Sequence, residues 1–102
     1  MKSNSQLNIP KEEIKRFCRK YHIRRLSLFG SALRDDFTDE SDLDILVEFQ
    51  TGHVVGFLRM AGIETELSTI LKRKVDLRTP AELSRYFRQE VLDSAEVQYA
   101  ER

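Results

Sequence analysis

The chain of 102 residues has little cysteine, no tryptophan and no long apolar run. Its one cysteine, Cys18, excludes an internal disulfide and a zinc cluster built from cysteines. No apolar stretch approaches the length of a membrane-spanning helix, and the polar residues 1–6 lack the apolar centre of a signal peptide. We therefore expect a cytoplasmic protein without membrane contact.

An excess of charge of either sign is also missing. Lysine plus arginine and aspartate plus glutamate number 17 each, so the formal net charge is zero. Basic residues that neutralise phosphates supply most of the affinity in general nucleic-acid binding. The basic clusters Arg24-Arg25 and Lys72-Arg73-Lys74 are short, and we interpret them as solvated faces. Direct binding of nucleic acid is therefore not expected.

Histidine is scarce, with two residues in the chain. His22 and His53 are isolated in the sequence, so no histidine metal site is predicted. We expect both at ordinary positions, with His22 at the end of a helix.

The length predicts a single domain, 1–102, in which residues 1–7 are disordered. Hydrophobic periodicity predicts a layered α/β domain with the order α-β-α-β-α-β-α. The predicted helices span about 8–21, 31–36 and 54–71, and a helical region opens at Pro80. The predicted strands span about 25–29, 42–49 and 74–78. The apolar residues of the first helix recur at helical spacing and should be buried: Ile14, Phe17, Cys18 and Tyr21.

The most informative motif is Gly30-Ser31, which precedes Asp42-Leu43-Asp44 by ten residues and lies between apolar runs. Gly30 can adopt a turn closed to other residues, and Ser31 is a preferred N-cap for the short helix that follows. The backbone N–H groups at that helix start would bind an anion such as a phosphate.

The motif also predicts a metal site. Successive side chains of a strand alternate between faces, so Asp42 and Asp44 should point the same way. Two neighbouring carboxylates repel each other unless a cation neutralises them, and hard oxygen ligands favour Mg²⁺. Asp76 lies on another alternating segment, and if that strand pairs beside the Asp42 strand, three carboxylates converge.

Plainer interpretations exist for each residue. Gly-Ser is a common turn, and Asp42 and Asp44 could belong to a solvated strand face. Asp76 alone would be an ordinary surface aspartate. Arg34 could contact a phosphate or pair with Asp35, Asp36 or Glu40 on the surface.

The segments Leu28-Phe29-Gly30-Ser31, Ser41 to Phe49 and Val75-Asp76-Leu77, together with Arg34, resemble the minimal nucleotidyltransferase (MNT) family. These are small relatives of the DNA polymerase β nucleotidyltransferase fold, a small mixed sheet packed with helices. The likeness runs from about Ile23 to the end of the chain. The resemblance implies Mg²⁺ and ATP as cofactor and substrate, with Asp42, Asp44 and Asp76 as catalytic and metal-binding residues. Nucleotidyl transfer would use two Mg²⁺ ions. Gly30, Ser31 and Arg34 would bind the nucleotide.

Members of this family commonly act as antitoxins of HEPN/MNT toxin–antitoxin pairs, and some transfer AMP to a tyrosine of the toxin. The resemblance therefore implies a type VII-like antitoxin whose partner is a HEPN ribonuclease toxin, in a hetero-oligomer. Two alternatives stay open: a binding module that blocks the toxin by occlusion, and a nucleotidyltransferase acting on a small molecule such as an aminoglycoside. The absence of a second, acceptor-binding lobe favours a protein substrate.

Departures from the family pattern are informative. The family often has a basic residue after Gly-Ser and a glycine after the arginine, whereas this chain has Ala32 and Asp35. It also tends to have a glycine before the third-aspartate strand, where this chain has Lys72-Arg73-Lys74. These differences spare the three aspartates but predict weaker nucleotide binding.

The C-terminal region carries apolar residues beyond the needs of a small core: Tyr86, Phe87, Val91, Leu92, Val97 and Tyr99. They could be buried against a partner or pack on the open face of the sheet.

Overall fold

The structure is a computed structural model that describes residues 8–101, and the predicted disorder of residues 1–7 lies outside the described residues. Its helices are α1 (Lys11–Lys20), α2 (Phe57–Leu71) and α3 (Arg88–Ser94). Its strands are β1 (Ile23–Leu28), β2 (Leu43–Phe49), β3 (Val75–Arg78) and β4 (Glu96–Ala100). Two 3₁₀ turns span Gly30–Leu33 and Pro80–Glu82. The α/β class is confirmed. None of the helices in the described part of the chain is long and apolar enough to cross a membrane.

The four strands form one mixed sheet in the order β3-β2-β1-β4. β1 runs antiparallel to both of its neighbours, and β2 runs parallel to β3. The condition set for Asp76 is met, since its strand pairs beside the Asp42 strand and Asp44 lies directly opposite Asp76.

The prediction of a wholly helical region after Pro80 is wrong. α3 has seven residues, and the chain then forms β4, which pairs with β1. Val97 and Tyr99 alternate with polar residues, and both are good strand formers. The pairing shifts register between Leu26 and Ser27, and β4 stays paired with β1 on both sides of this shift.

Several predicted boundaries also shift. The first helix begins at Lys11 rather than at residue 8, because Pro10 takes the N-cap position with extended backbone. It ends at Lys20 with Tyr21 at the C-cap, and His22 follows in the left-handed region with φ 59°. The short helix predicted over 31–36 is the 3₁₀ turn, after which Arg34 is extended. The helix predicted over 54–71 begins only at Phe57.

The core lies on the sheet face covered by α1 and α2. Burial of the predicted helix stripe is confirmed for Ile14, Phe17 and Cys18, and Tyr21 packs partly buried against them. The strands contribute their core-facing residues to the same cluster: Ile23, Leu26, Leu28, Leu43, Ile45, Val47, Val75 and Leu77. Burial raises the pKa of the Cys18 thiol to about 12, so this cysteine is an apolar core residue and not a nucleophile.

The outer edge of β3 is covered by polar side chains of α2. The Val75 N–H donates to Ser68 Oγ at 3.1 Å, and the Leu77 N–H donates to Glu64 Oε2 at 2.8 Å. Both N–H groups point away from β2, since the two residues alternate with those whose amides face the neighbouring strand. Two outward amides of this edge are thereby satisfied within the chain.

Candidate active site

The turn after β1 brings Ser31 against Asp44. The Phe29 N–H donates to the Asp44 carbonyl at 3.1 Å, which fixes the end of β1 to the start of β2. The Ser31 N–H and Oγ–H then both donate to Asp44 Oδ2, each at 3.0 Å. Ser31 Oγ also lies 2.9 Å from the Asp42 carbonyl oxygen. One serine therefore orients the Asp44 carboxylate and holds the chain just before it.

Gly30 is required at this turn for two reasons. Its φ is +59°, a conformation that L side chains rarely adopt. A Cβ at this position would lie 2.6 Å from Asp44 Oδ2. The predicted turn conformation of Gly30 is confirmed, and its missing side chain leaves room for the carboxylate.

The predicted capping role of Ser31 is wrong. The 3₁₀ turn begins at Gly30 with Phe29 at the N-cap, and no side chain caps it. Both Ser31 donors point instead to Asp44, since a charged acceptor lies within reach.

Asp44 and Asp76 lie side by side on neighbouring parallel strands, about 4.8 Å apart along the hydrogen-bonding direction. Because the residues are in register, their side chains leave the same face of the sheet. Asp76 is held by Arg78: its two oxygens lie 3.2 Å from Arg78 Nε and 3.4 Å from Nη2. The hydrogen bonds to Asp76 raise the pKa of Arg78 further above its ordinary value.

Asp42 differs from the other two aspartates. It precedes β2, which begins at Leu43, and its side chain is 53% exposed. The nearest cation is Lys74 Nζ, 4.0 Å from Asp42 Oδ2.

The donors fit a hard cation in type. Asp44 and Asp76 offer carboxylate oxygens on neighbouring strands, Asp42 lies just before β2, and both Ser31 bonds end on Oδ2 of Asp44. Within residues 8–101, however, no group of three or more His, Cys, Asp or Glu side chains is close enough together to hold a metal. Lys74 lies beside Asp42, and Arg78 lies beside Asp76. A divalent cation would compete with these two side chains for the carboxylates.

Arg34 and its neighbours lie on the surface. Arg34 Nε is 3.5 Å from Asp36 Oδ1, and the two side chains are 68% and 80% exposed. Such an exposed pair contributes little free energy, so Arg34 can leave it readily. Ala32, where the family often has a basic residue, is buried in the core.

Arg73 is a structural residue that the sequence pattern did not reveal. It donates to the Thr38 and Ser41 carbonyls at 2.7 and 2.8 Å, and its guanidinium lies 4.5 Å from the centre of the Phe37 ring. The interpretation of its cluster as a solvated face is therefore wrong for Arg73, which holds the loop that leads into Asp42. Lys72 and Lys74 are exposed as predicted.

The two histidines are not isolated in space. Their rings stack with centres 4.0 Å apart and an angle of 13° between planes. Gln50 connects the two residues: its N–H donates to the His22 carbonyl at 2.9 Å, and the His53 N–H donates to the Gln50 carbonyl at 3.1 Å.

The sequence model of the nucleotidyltransferase domain family matches residues 11–97. The chain belongs to this nucleotidyltransferase family. Two relatives of the nucleotidyltransferase come from Methanocaldococcus jannaschii, and both are named as candidate protein adenylyltransferases. One is 42% identical over 59% of this chain and 60% of its own length. The other is 34% identical over 78% of this chain and 80% of its own length.

Solved structures place the nucleotidyltransferase in the same fold. A candidate minimal nucleotidyltransferase is 30% identical, with a TM-score of 0.67, and the match covers 83% of this chain and 85% of that one. A toxin–antitoxin structure with AMP-PNP is 20% identical, with a TM-score of 0.72, over 91% of this chain and 75% of that one. The resemblance to minimal nucleotidyltransferases that the sequence motifs indicated is thereby confirmed.

Proposed function

We propose that this nucleotidyltransferase is an antitoxin that transfers AMP from ATP to a tyrosine of a HEPN ribonuclease toxin. The observation that carries the proposal is the Gly30–Ser31 turn, which orients the Asp44 carboxylate, while strand pairing places Asp44 directly opposite Asp76. A relative from Thermococcus cleftensis named as the protein adenylyltransferase MntA is 33% identical over 57% of this chain and supports the reaction type. A structure with the same fold contains a tri-AMPylated HEPN toxin of Shewanella oneidensis in complex with an MNT antitoxin.

The reaction forms a bond between the tyrosine oxygen and the α-phosphorus of ATP. The bond from that phosphorus to the oxygen shared with the β-phosphate breaks, pyrophosphate leaves, and the phenol proton is released. In this proposal Asp42, Asp44 and Asp76 hold two Mg²⁺ ions, which would neutralise charge on the attacking and leaving oxygens when bound. Ser31 keeps the Asp44 carboxylate in one orientation, so little reorganisation is needed as charge develops.

The nucleotide would lie along the same turn. Gly30 lets a phosphate approach the backbone because no side chain blocks it. Ser31 is proposed to contact the phosphates beside Asp44, and Arg34 to reach a phosphate once it leaves its exposed pair with Asp36.

Intact-mass measurement of the toxin tests this proposal. The product of the neighbouring reading frame is incubated, as the candidate toxin, with Mg²⁺-ATP and about one tenth of its molar amount of this protein. A catalyst modifies most of the toxin, and each product is heavier by one or more AMP groups. The Asp44→Asn variant, which keeps an oxygen for both Ser31 donors, is the matched control and should leave the toxin mass unchanged.

A second candidate function is inhibition by occlusion. Ala32 favours it, because a buried alanine replaces a basic residue that would contact the triphosphate. Occlusion requires one antitoxin for each toxin site. Inhibition that appears only at equimolar mixing, with unchanged toxin mass, would establish occlusion and reject adenylylation.

A further inference from the structure

Arg78 pairs with the carboxylate of Asp76, which is a metal ligand in the proposed reaction. It lies two residues along β3 from Asp76, so both side chains leave the same face of the strand. Its Nε and Nη2 reach different oxygens of Asp76, at 3.2 and 3.4 Å. Both carboxylate oxygens are therefore used by one guanidinium, and a metal ion that takes Asp76 has to compete with it.

The pair is exposed enough to exchange partners. The Arg78 and Asp76 side chains are 46% and 37% exposed, so the ion pair is only modestly stabilising. The backbone of Arg78 is held on the sheet by its pairing with Leu46 of β2. The guanidinium can thus swing while its backbone stays on the sheet.

Lys74 does not serve the same purpose. Its ammonium is 4.0 Å from Asp42, and its side chain is 80% exposed, so the contact is longer and weaker than that of Arg78. A lysine is also a single point charge, whereas a guanidinium can bind a carboxylate or a phosphate through two parallel N–H groups.

We propose that Arg78 is a positioning residue that holds Asp76 in the metal-free protein and moves onto the triphosphate when Asp76 takes the metal. The inference rests on the proposed function and specifies how its site is loaded. It predicts opposite effects on two ligands: Arg78 opposes the binding of a cation alone and favours the binding of the anionic nucleotide.

The test measures Mn²⁺ alone, by the electron paramagnetic resonance signal of the free ion, and Mg²⁺-AMP-PNP by calorimetry. In Arg78→Gln we expect Mn²⁺ affinity to rise about threefold to tenfold, because a nearby positive charge is removed. We expect nucleotide affinity to fall about tenfold, because a bidentate phosphate contact is lost. Arg78→Lys should keep Mn²⁺ affinity near wild type yet still weaken nucleotide binding, since the charge stays and the paired N–H groups are lost.

Arg16→Gln is the matched control, since Arg16 is an exposed arginine of α1, on the opposite side of the sheet. It should change neither affinity. Unchanged Mn²⁺ affinity in Arg78→Gln, or no Mn²⁺ binding by either this variant or wild type, would overturn the competition with metal. Unchanged nucleotide affinity in both Arg78 variants would overturn the transfer to the triphosphate. Neither measurement requires the toxin. If both affinities change as expected while the toxin stays unmodified, the proposed function is rejected and the role of Arg78 stands.

Discussion

At the scale of single residues, Gly30 is the glycine at which both backbone conformation and space oppose a side chain. A side chain there meets an unfavourable φ of +59° and a carboxylate oxygen 2.6 Å from its Cβ. We expect Gly30→Ala to lower the free energy of unfolding by about 1–3 kcal/mol. It should also weaken nucleotide binding, because Asp44 must move. Urea unfolding measures the first effect and calorimetric titration the second.

Gly62→Ala supplies the control. Gly62 lies within α2, and a Cβ there has no neighbour within 4 Å. This variant should gain up to about 1 kcal/mol of stability, because alanine favours the helix over glycine. A Gly30→Ala protein as stable as wild type would show that the turn does not need its glycine.

Asp44 provides the second residue-scale prediction. We expect Asp44→Asn to reduce Mg²⁺-ATP affinity by about tenfold or more, because a charged metal ligand is lost. Stability should hold, since the amide oxygen can accept both hydrogen bonds from Ser31. Calorimetry compares it with Asp93→Asn, which changes an exposed carboxylate that is bonded to Gln89 on α3. Equal nucleotide affinity in both variants would reject Asp44 as a metal ligand.

These residues also show how much of the site could be predicted from the sequence. The turn at Gly30 and the alternation that places Asp44 and Asp76 on strands were predictable, because both are local signals. The pairing of their two strands could be stated only as a condition, since it joins residues more than 30 positions apart. The functional roles of the site residues remain predictions. Arg73 and the stacked histidines were not predictable, since each contact joins residues more than 30 positions apart. Neither contact leaves a local pattern.

At the scale of elements, α1 and α2 are joined by a small charged cluster. Tyr21 Oη donates to Glu66 Oε1, and Lys20 Nζ donates to Oε2 at 3.1 Å. The Tyr21 hydrogen bond lowers the pKa of Glu66 below its ordinary value of 4.5, and the same bond raises the pKa of Tyr21.

The cluster predicts a pH dependence. Because the folded pKa of Glu66 lies below its unfolded value, its contribution is complete above pH 4.5 and disappears as pH falls through the folded pKa. Glu66→Gln should therefore cost less than about 1 kcal/mol at neutral pH, given the exposure of the pair. The cost should shrink in strongly acidic buffer. Urea unfolding of both proteins at pH 7 and pH 3 checks this, and an equal difference at the two pH values would contradict it.

β4 shows why the C-terminal region was mispredicted. Its five residues follow directly after the seven of α3, so neither element is long enough to give a clear period. The strand is stabilised by its pairing with β1, about 70 residues earlier in the chain, and not by local preference.

At the scale of the whole molecule, exposed apolar side chains indicate where a partner could bind. Tyr86 and Phe87 are 85% and 54% exposed beside α3, and Val97 is 50% exposed on β4. Tyr99 instead packs against the core. Val91 and Leu92 are partly buried. The C-terminal apolar residues therefore divide between the core and the surface.

The interface role of this surface remains a prediction. We expect the double substitution Tyr86→Ser and Phe87→Ser to weaken co-purification with the toxin at least tenfold, because aromatic anchors dominate interfaces. Deletion of residues 90–102 would be a poor test, since it removes β4 from the sheet. Phe57→Ser with Leu58→Ser is the control, because both side chains are as exposed but lie on α2. Full toxin retention by the Tyr86 and Phe87 variant would reject this surface.

The covered edge of β3 restricts how any partner can attach. An incoming extended peptide would have to displace Glu64 and Ser68 before it could pair with the outward amides of Val75 and Leu77. Recognition by strand addition depends on such amides being free. A toxin, or a second copy of this protein, therefore cannot extend the sheet at β3 while Glu64 and Ser68 hold these amides.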